Sequence, residues 1–463
     1  MALIKSISGI RGTIGGLPSD NLTPLDIVKF TSAFASFLQR RNEGKQLSLV
    51  VGRDARPSGP MVESLVVATL QAMGADVVLL GLSTTPTVEL AVTYHKADGG
   101  IIITASHNPV VYNALKLLGS DGTFISAAEG NKVLAIAEKD DYSYATVDKL
   151  GKVAHDNDAI ARHIDEVLKL KLVDREAISK AGFRVALDAV NSTGSLAIIP
   201  LLKALGVNDI VELNCTPDGH FAHNPEPIPQ NLSDIAATVA REHCHLGIVV
   251  DPDVDRLALV CEDGSMYGEE YTLVTVADYI LGRTPGNTVS NLSSSRALAD
   301  VTRRYPNCSY SAAAVGEVNV VEKMRATHAV IGGEGNGGVI YPELHYGRDA
   351  LVGIALFLTY MAKSGKKCGQ IRAQYPDYFI VKKKTELSNE VDIKALLGKI
   401  AEKYASYQVN RVDGVRIDFD DSWVHVRSSN TEPIIRIYAE ALSESVADNI
   451  ANKLMSDIRE LMS

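Results

Sequence analysis

The 463-residue chain has no run of about 18 apolar residues, the length a helix needs to cross a bilayer, and its start, MALIKSISGIRGTIGG, lacks an apolar stretch of signal-peptide type followed by a cleavage site. A cytoplasmic location without a membrane partner is expected. Long basic stretches are missing too: the net charge is -10, and the one short run, Lys382 to Lys384, is read as a solvated face. Without clustered cations to neutralise phosphates, general nucleic-acid binding is excluded. The five cysteines are scattered, odd in number and without a CxxC pair, which argues against a disulfide framework or a zinc ribbon. His243 and His245 flank Cys244, but a spacing of one residue and the lack of a second ligand pair favour a structural reading.

What is present is an ordinary globular composition, 46% hydrophobic and 22% charged, in a chain too long for one hydrophobic core. Three segments share one pattern: LSLVVGRDARPSGPMVESLVVATLQAMGADVVLLG (47–81), FRVALDAVNSTGSLAIIPLLKALGVNDIVELN (183–214) and, more loosely, NTVSNLSSSRALADVTRRYPNCSYSAAAVGE (287–317). In each, an apolar strand enters a polar turn, a helical periodicity follows, and a second strand closes the unit. Three related α/β domains with mixed sheets are expected, over 1–152, 153–257 and 258–369. From 370 the texture changes to alternating strands (YFIVKKKTEL, GVRIDFDDSWVHVRSS, PIIRIYAEA) with a helix near 392–404 and a closing helix. This predicts a C-terminal α+β domain, 370–463, and a central cleft between the four domains, where small-molecule sites concentrate.

Four motifs carry polar groups suited to chemistry. In GGIIITASHNPVVYNALKLL (99–118), three isoleucines fit a strand buried on both faces, and Asn-Pro stops it, so Ser106 is expected at the strand's end. Neither G-x-S-x-G nor a known triad order surrounds Ser106, and His107, pointing the other way along an extended chain, suits an organiser better than a base. In LGIVVDPDVDRLALV (246–260), Asp251, Asp253 and Asp255 at extended spacing aim three carboxylates one way, which calls for a hard cation. An EF-hand is disfavoured because Arg256 stands where that loop needs glycine; a solvated turn is the alternative. GGEGNGGV (332–339) offers Glu334 and Asn336 for sugar hydroxyls but equally fits a flexible hairpin tip, and it lacks the Lys-Ser/Thr of an ATP-binding P-loop. In VRSSNTEPIIR (426–436), Arg427 with Ser428, Ser429, Asn430 and Thr431 suits either a phosphate grip or a helix cap. Arg11, flanked by glycines in SGIRG, is equally open.

Together and in this order, TASHNP, DPDVDR, GEGNGG and RSSNTEP resemble the phosphoserine, metal, sugar and phosphate loops of the α-D-phosphohexomutase family, over essentially the whole chain. The family includes phosphoglucomutases, phosphomannomutases and phosphoglucosamine mutases. The resemblance implies that Ser106 carries a phosphoryl group and joins Asp251, Asp253 and Asp255 around Mg²⁺, with Arg256 clamping the phosphoryl oxygens. It implies Lys116 as general acid/base, His107 as organiser, and Arg11 near the phosphoserine. Glu334 and Asn336 would meet the sugar, and Arg427, Ser429, Asn430 and Thr431 the non-reacting phosphate. The substrate is then a small hexose phosphate, hexose 1,6-bisphosphate is intermediate and activator, and the protein is a monomer or homodimer. Asn336 and Gly338 stand where many bacterial members have Ser and His, Ser293 where some have lysine, and Glu317 in a variable loop; the chain looks nearest to archaeal-type members. Glucosamine 6-phosphate is the sugar expected, with phosphoglucomutase/phosphomannomutase as the alternative. A binding protein without turnover, or a phosphatase, are readings of a different class. Because the intermediate has to turn over away from water, domain IV is expected to close about a hinge near 365–375.

Overall fold

The three repeated strand-turn-helix-strand units each acquire one more pair of strands, and the same order results three times. The structure is a computed structural model and describes residues 3–6, 9–42, 45–386, 392–428 and 434–462. In domain I the strand Gly99–Ile103 lies between Ser48–Arg53, parallel to it, and Tyr112–Gly119, antiparallel to it; Asp76–Leu82 follows on the outside. In domain II, Leu246–Val250 lies likewise between parallel Arg184–Asp188 and antiparallel Leu257–Cys261, with Asp209–Leu213 outside. In domain III, Ala329–Glu334 lies between parallel Asn287–Asn291 and antiparallel Gly338–Ile340, with Tyr310–Ala313 outside. Ser106, the aspartates and the GEGNGG motif thus occupy corresponding places, each on the connection from a buried central strand to its antiparallel neighbour.

The sheets run a few residues past the divisions read from sequence. Val153–His155 adds to the outer edge of the first sheet, beside Asp76–Leu82, and Leu257–Cys261 completes the second. Domains II and III share one core, in which Ile198, Leu201, Leu259, Val276, Ile331 and Phe357 are all buried. The reason is local: the helix Ala350–Ser364 is apolar nearly all round, so it buries contacts on both sides.

Domain IV is an antiparallel sheet in the order Phe379–Glu386, Ile434–Ala441, Trp423–Ser428, Val415–Asp418, Gln408–Asn410. The helices Ile393–Lys403 and Glu444–Met462 contribute Leu396, Ile400, Ala451, Leu454 and Ile458 to its core. It is tied to domain III by Arg416 Nη1 donating to the Leu292 carbonyl (2.6 Å), by His425 Nδ1 and Ser293 Oγ (2.9 Å), by the Arg296 N–H on Glu440 Oε1 (3.0 Å) and by the Val315 N–H on Asp413 Oδ2 (3.0 Å). Among the described residues no helix is long and apolar enough to cross a membrane, and all five cysteines are free thiols.

Candidate active site

Ser106 lies three residues beyond the end of its strand, in the left-handed region at φ 48°, and is 7% exposed. Strand alternation therefore does not separate it from His107: Ser106 Oγ is 3.4 Å from His107 Nδ1 and donates to Asp251 Oδ2 at 2.7 Å. Burial, with Arg256 and Arg11 nearby, lowers His107 well below the usual imidazole value, so the ring is neutral.

The turn around Ser106 is held by residues the sequence did not single out. Arg56 is fully buried; its Nε donates to Asp54 Oδ2 (2.9 Å), Nη1 to the carbonyls of Pro109 (2.7 Å) and Tyr112 (3.1 Å), and Nη2 to those of Asn108 (2.8 Å) and Ser106. Thr104 Oγ1 donates to Asp54 Oδ2 at 2.7 Å and accepts the Ser106 N–H at 2.9 Å. One guanidinium thus supplies the donors that this loop's inward carbonyls would otherwise lack.

The aspartates converge through a turn rather than the extended run expected. The strand ends at Val250, Val254 adopts φ 65°, and its N–H donates to the Asp251 carbonyl at 3.1 Å. The three carboxylates offer oxygens all within 4.8 Å of one another, and all three residues are fully buried. Asp253 and Asp255 are each anchored by one oxygen, and Asp251, besides receiving Ser106 on Oδ2, by the other. Asp251 Oδ1 accepts the N–H groups of Asp255 (3.2 Å) and Arg256 (3.1 Å). Asp253 Oδ2 accepts from Thr85 Oγ1 and Lys116 Nζ, both 2.7 Å, and Asp255 Oδ2 from Arg348 Nη2 at 2.7 Å. Asp253 Oδ1 and Asp255 Oδ1 are buried without a hydrogen-bond partner. Burial, compounded by Asp255 and Asp253, raises Asp251 well above the carboxylate range. Two orphaned oxygens and a strained proton balance in an all-oxygen cluster are what a hard divalent cation would relieve, so the residues fit such an ion.

Lys116 projects from Tyr112–Gly119, opposite Ile102, and its ammonium lies 2.7 Å from Asp253 Oδ2 and 3.6 Å from Asp255 Oδ2. Burial works against its charge, but these two aspartates outweigh burial and hold it above the ordinary lysine value. Arg256 Nε lies 3.8 Å from Asp255 Oδ1, and Nη1 3.7 Å from Glu226 Oε1. Arg11, on the strand Gly9–Thr13, is lowered by burial, and Arg256 and Arg436 lie near enough to depress it further.

Glu334 ends its strand in domain III and is 5% exposed; Oε1 accepts from Asn291 Nδ2 (2.8 Å) and the Gly316 N–H (3.1 Å), Oε2 from Arg348 Nη1 (2.8 Å). Asn336 is half-buried at the hairpin tip, its Oδ1 accepting the Gly338 N–H at 3.2 Å. Ser429, Asn430 and Thr431 lie outside the described residues. Arg427 is half-buried, with Nε 3.4 Å from Asp413 Oδ2. Directly across its strand pair stands Arg436, which in turn faces Lys384, so three cations share one row of the domain IV sheet. Like charges facing across strands repel, so this row offers positive charge that, among the described residues, Asp413 offsets only at Arg427; the alternation of the strands was the available signal. The lysine run is therefore only partly a solvated face: Lys383 reaches Asp448 at 2.6 Å on the opposite side of the sheet.

Residues 3–143, 161–264 and 268–378 match the phosphoglucomutase/phosphomannomutase alpha/beta/alpha domains I, II and III, and residues 381–456 match the same family's C-terminal domain. The chain is 37% identical over 442 residues to the phosphoglucomutase/phosphomannomutase of Thermococcus kodakarensis, covering 94% of this chain and 95% of that protein. It is 31% identical over 461 residues to the phosphoglucosamine/phosphogalactosamine mutase of Sulfurisphaera tokodaii, covering 98% of each. The crystal structure of a phosphoglucomutase/phosphomannomutase family protein from Burkholderia thailandensis is similar with a TM-score of 0.85 and 26% identity, over 99% of this chain and 98% of that one. With the four domains matched in order along nearly its whole length, the chain belongs to the phosphoglucomutase/phosphomannomutase family.

Proposed function

We propose that this protein is a phosphohexomutase interconverting hexose 6-phosphate and hexose 1-phosphate, with glucosamine 6-phosphate and glucosamine 1-phosphate as its principal pair. The reading rests on one contact above all: the 2.7 Å hydrogen bond from Ser106 Oγ to Asp251 Oδ2, which ties a hydroxyl at a strand's end to an oxygen-only cation site. Ser106 Oγ carries the phosphoryl group between turnovers. Its P–O bond breaks as O1 or O6 of the bound sugar bonds to phosphorus, giving a hexose 1,6-bisphosphate; after this reorients in the cleft, its other phosphoryl returns to Oγ. Lys116, held as an ammonium by Asp253 and Asp255, is the general acid/base: Nζ gives a proton to the oxygen that leaves phosphorus, Ser106 Oγ in the first half and the sugar oxygen in the second, and regains it from the hydroxyl that attacks. A hard divalent cation, Mg²⁺ for this donor set, neutralises charge on the transferring group when Asp251, Asp253, Asp255 and the Ser106 phosphoryl oxygens hold it.

Arg256 clamps the phosphoryl oxygens from one side, neutral His107 orients Ser106, and Arg11 adds positive charge beside it. Arg427, joined by Ser429, Asn430 and Thr431 and backed by Arg436, grips the phosphate that is not reacting, in either orientation of the sugar. Glu334 and Asn336 meet the sugar hydroxyls. Domain IV closes over the ligand about 365–375, where Gly365 ends a helix in the left-handed conformation at φ 63°. The protein acts in the cytoplasm as a monomer or homodimer, and hexose 1,6-bisphosphate loads Ser106.

The amino-sugar assignment is supported by the name of the Sulfurisphaera relative; the Thermococcus relative, at 37% identity, favours phosphoglucomutase/phosphomannomutase as the second reading. Side-by-side turnover of glucosamine 6-phosphate, glucose 1-phosphate and mannose 1-phosphate, with Mg²⁺ and a trace of hexose 1,6-bisphosphate, decides. A kcat/KM preference of about 100-fold for glucosamine 6-phosphate, about 2.7 kcal/mol of transition-state binding, is expected. A preference for glucose or mannose moves the protein to the second reading. No turnover of any, with Ser106 phosphorylated, overturns the mutase itself.

A further inference from the structure

Arg348 stands in none of the four motifs, yet it touches three of the functional loops. It is 8% exposed, and each of its three guanidinium nitrogens donates to a different carboxylate: Nη2 to Asp255 Oδ2 (2.7 Å), Nε to Glu317 Oε2 (3.0 Å) and Nη1 to Glu334 Oε2 (2.8 Å). Its backbone N–H donates to Glu317 Oε1 at 3.1 Å, which fixes the arginine's own position on the same carboxylate. We propose that Arg348 is a positioning residue that couples the sugar loop to the cation site, so that hexose phosphate and divalent cation each strengthen the binding of the other. The proposal rests on the reading of the aspartate turn as a cation site.

The argument begins with what each carboxylate has left. Asp255 is held by Oδ2 alone, and its buried Oδ1 has no hydrogen-bond partner. Arg348 therefore fixes the rotation of Asp255 while leaving one oxygen free for a cation, the arrangement by which an outer partner orients a metal ligand. Glu334 is pinned by Oε1 to Asn291 and Gly316, so it cannot swing to follow a ligand, and only Oε2 is shared with Arg348. A sugar hydroxyl held by Glu334 fixes that carboxylate, and through the fork fixes the guanidinium and Asp255 as well, so the first ligand bears an ordering cost that the second no longer meets. Two sites linked through one rigid group carry a coupling free energy that is equal in both directions. Lysine has one donor centre and cannot bridge three carboxylates in fixed geometry, so the fork matters as well as the charge.

Gly338 makes the same point sterically. It pairs with Glu334 across the hairpin, and a Cβ built on it falls 2.3 Å from Arg348 Cδ. The arginine's stem fills the volume that any side chain at 338 would claim, so a one-carbon change there displaces Arg348 without removing a charge.

The test is calorimetric binding of Mg²⁺ to the dephosphorylated full-length protein, alone and with saturating glucosamine 6-phosphate or glucose 6-phosphate, which cannot turn over in that form. Unaltered protein is expected to bind Mg²⁺ about 10-fold more tightly with sugar phosphate present. In Arg348→Lys and in Gly338→Ala that ratio is expected to fall below about 2-fold, with the thermal midpoint retained and kcat at saturating Mg²⁺ down by about 30-fold. A ratio unchanged in Arg348→Lys shows that charge alone suffices and overturns the proposal, as does a ratio near one in the unaltered protein. Gly338→Ala keeps the test open where Arg348→Lys fails to fold, and an unchanged ratio there overturns the proposal equally. Failure of the unaltered protein to bind Mg²⁺ in either condition instead removes the cation-site reading beneath it.

Discussion

Replacing Arg56 by methionine probes how the loop that carries Ser106 is held. The side chain is buried, donates to the Asp54 carboxylate and donates to four carbonyls of residues 106–112. Methionine fills much of the volume but donates nothing, so Asp54 loses its counter-charge while keeping Thr104 Oγ1, and four carbonyl oxygens lose a donor together, that of Pro109 keeping the Tyr112 N–H. Left buried, each carbonyl costs about 1–3 kcal/mol, which sums well beyond the cost of letting the loop open to water. Opening therefore sets the ceiling, and breaking a buried ion pair by removing one partner costs about 3–5 kcal/mol. Local opening of 104–112 then becomes about 10²- to 5 × 10³-fold more frequent. Amide hydrogen exchange across that segment reads the change directly, with the strand Ser48–Arg53 as an internal reference. kcat is expected to fall by about 10²-fold or more because Ser106 leaves the left-handed geometry that aims Oγ at Asp251. Single tryptophan fluorescence, which comes from Trp423, buried in domain IV beside Arg416 and Glu440, should stay unchanged. Wild-type exchange at 104–112 together with wild-type kcat would refute the assignment of Arg56 as the group that shapes this loop.

Ser106→Ala is expected to abolish turnover while glucosamine 6-phosphate still binds within about 3-fold by calorimetry; turnover above about 1% of wild type sinks the phosphoserine route. Arg427→Gln should raise KM by about 10- to 100-fold with kcat changed by less than about 3-fold, since a grip on the non-reacting phosphate acts alike in ground and transition states; a fall in kcat at constant KM contradicts that role. Glu89 and His345 give a pH dependence. Burial raises Glu89 to about 8 from 4.5, while Asp349 and Glu89 raise His345 to about 10 against the effect of burial. Both folded values exceed the unfolded ones, so the folded protein keeps protons that the unfolded chain releases, and stability falls as pH rises through the window, by about 1.4 kcal/mol per pH unit for each proton retained. Urea midpoints by circular dichroism should decline from pH 5 to 8, and Glu89→Gln should flatten that slope; equal slopes in the two proteins contradict the shift.

How much of this was legible in the sequence depends on the distance over which each interaction is specified. Strand ends announced themselves because the signal is local: Ile101–Ile103 running into TASHNP, or Leu246–Val250 running into DPDVDR, combines an apolar run with turn residues inside one short window. The aspartate motif was read correctly as a convergence of carboxylates, but through the wrong backbone. Extended spacing and a turn both bring alternate residues together, and what selects the turn is the antiparallel return of Leu257–Cys261, which no pattern within DPDVDR encodes. Arg348 was invisible for the same reason at longer range. Its three partners lie 14, 31 and 93 residues away, and nothing distinguishes it locally from the other 45 among the 46 lysines and arginines. What could have flagged it is a conflict rather than a motif: GRDA opens directly into ALVGIALFL, the most apolar helix of domain III, so two charges sit where the chain goes into the core. A buried charge has to find opposite charge, and the carboxylates that Arg348 finds are those of Asp255, Glu317 and Glu334. Reading the sequence for charges forced inward, as well as for patterns that face outward, would have led to Arg348, which bridges Asp255 and Glu334.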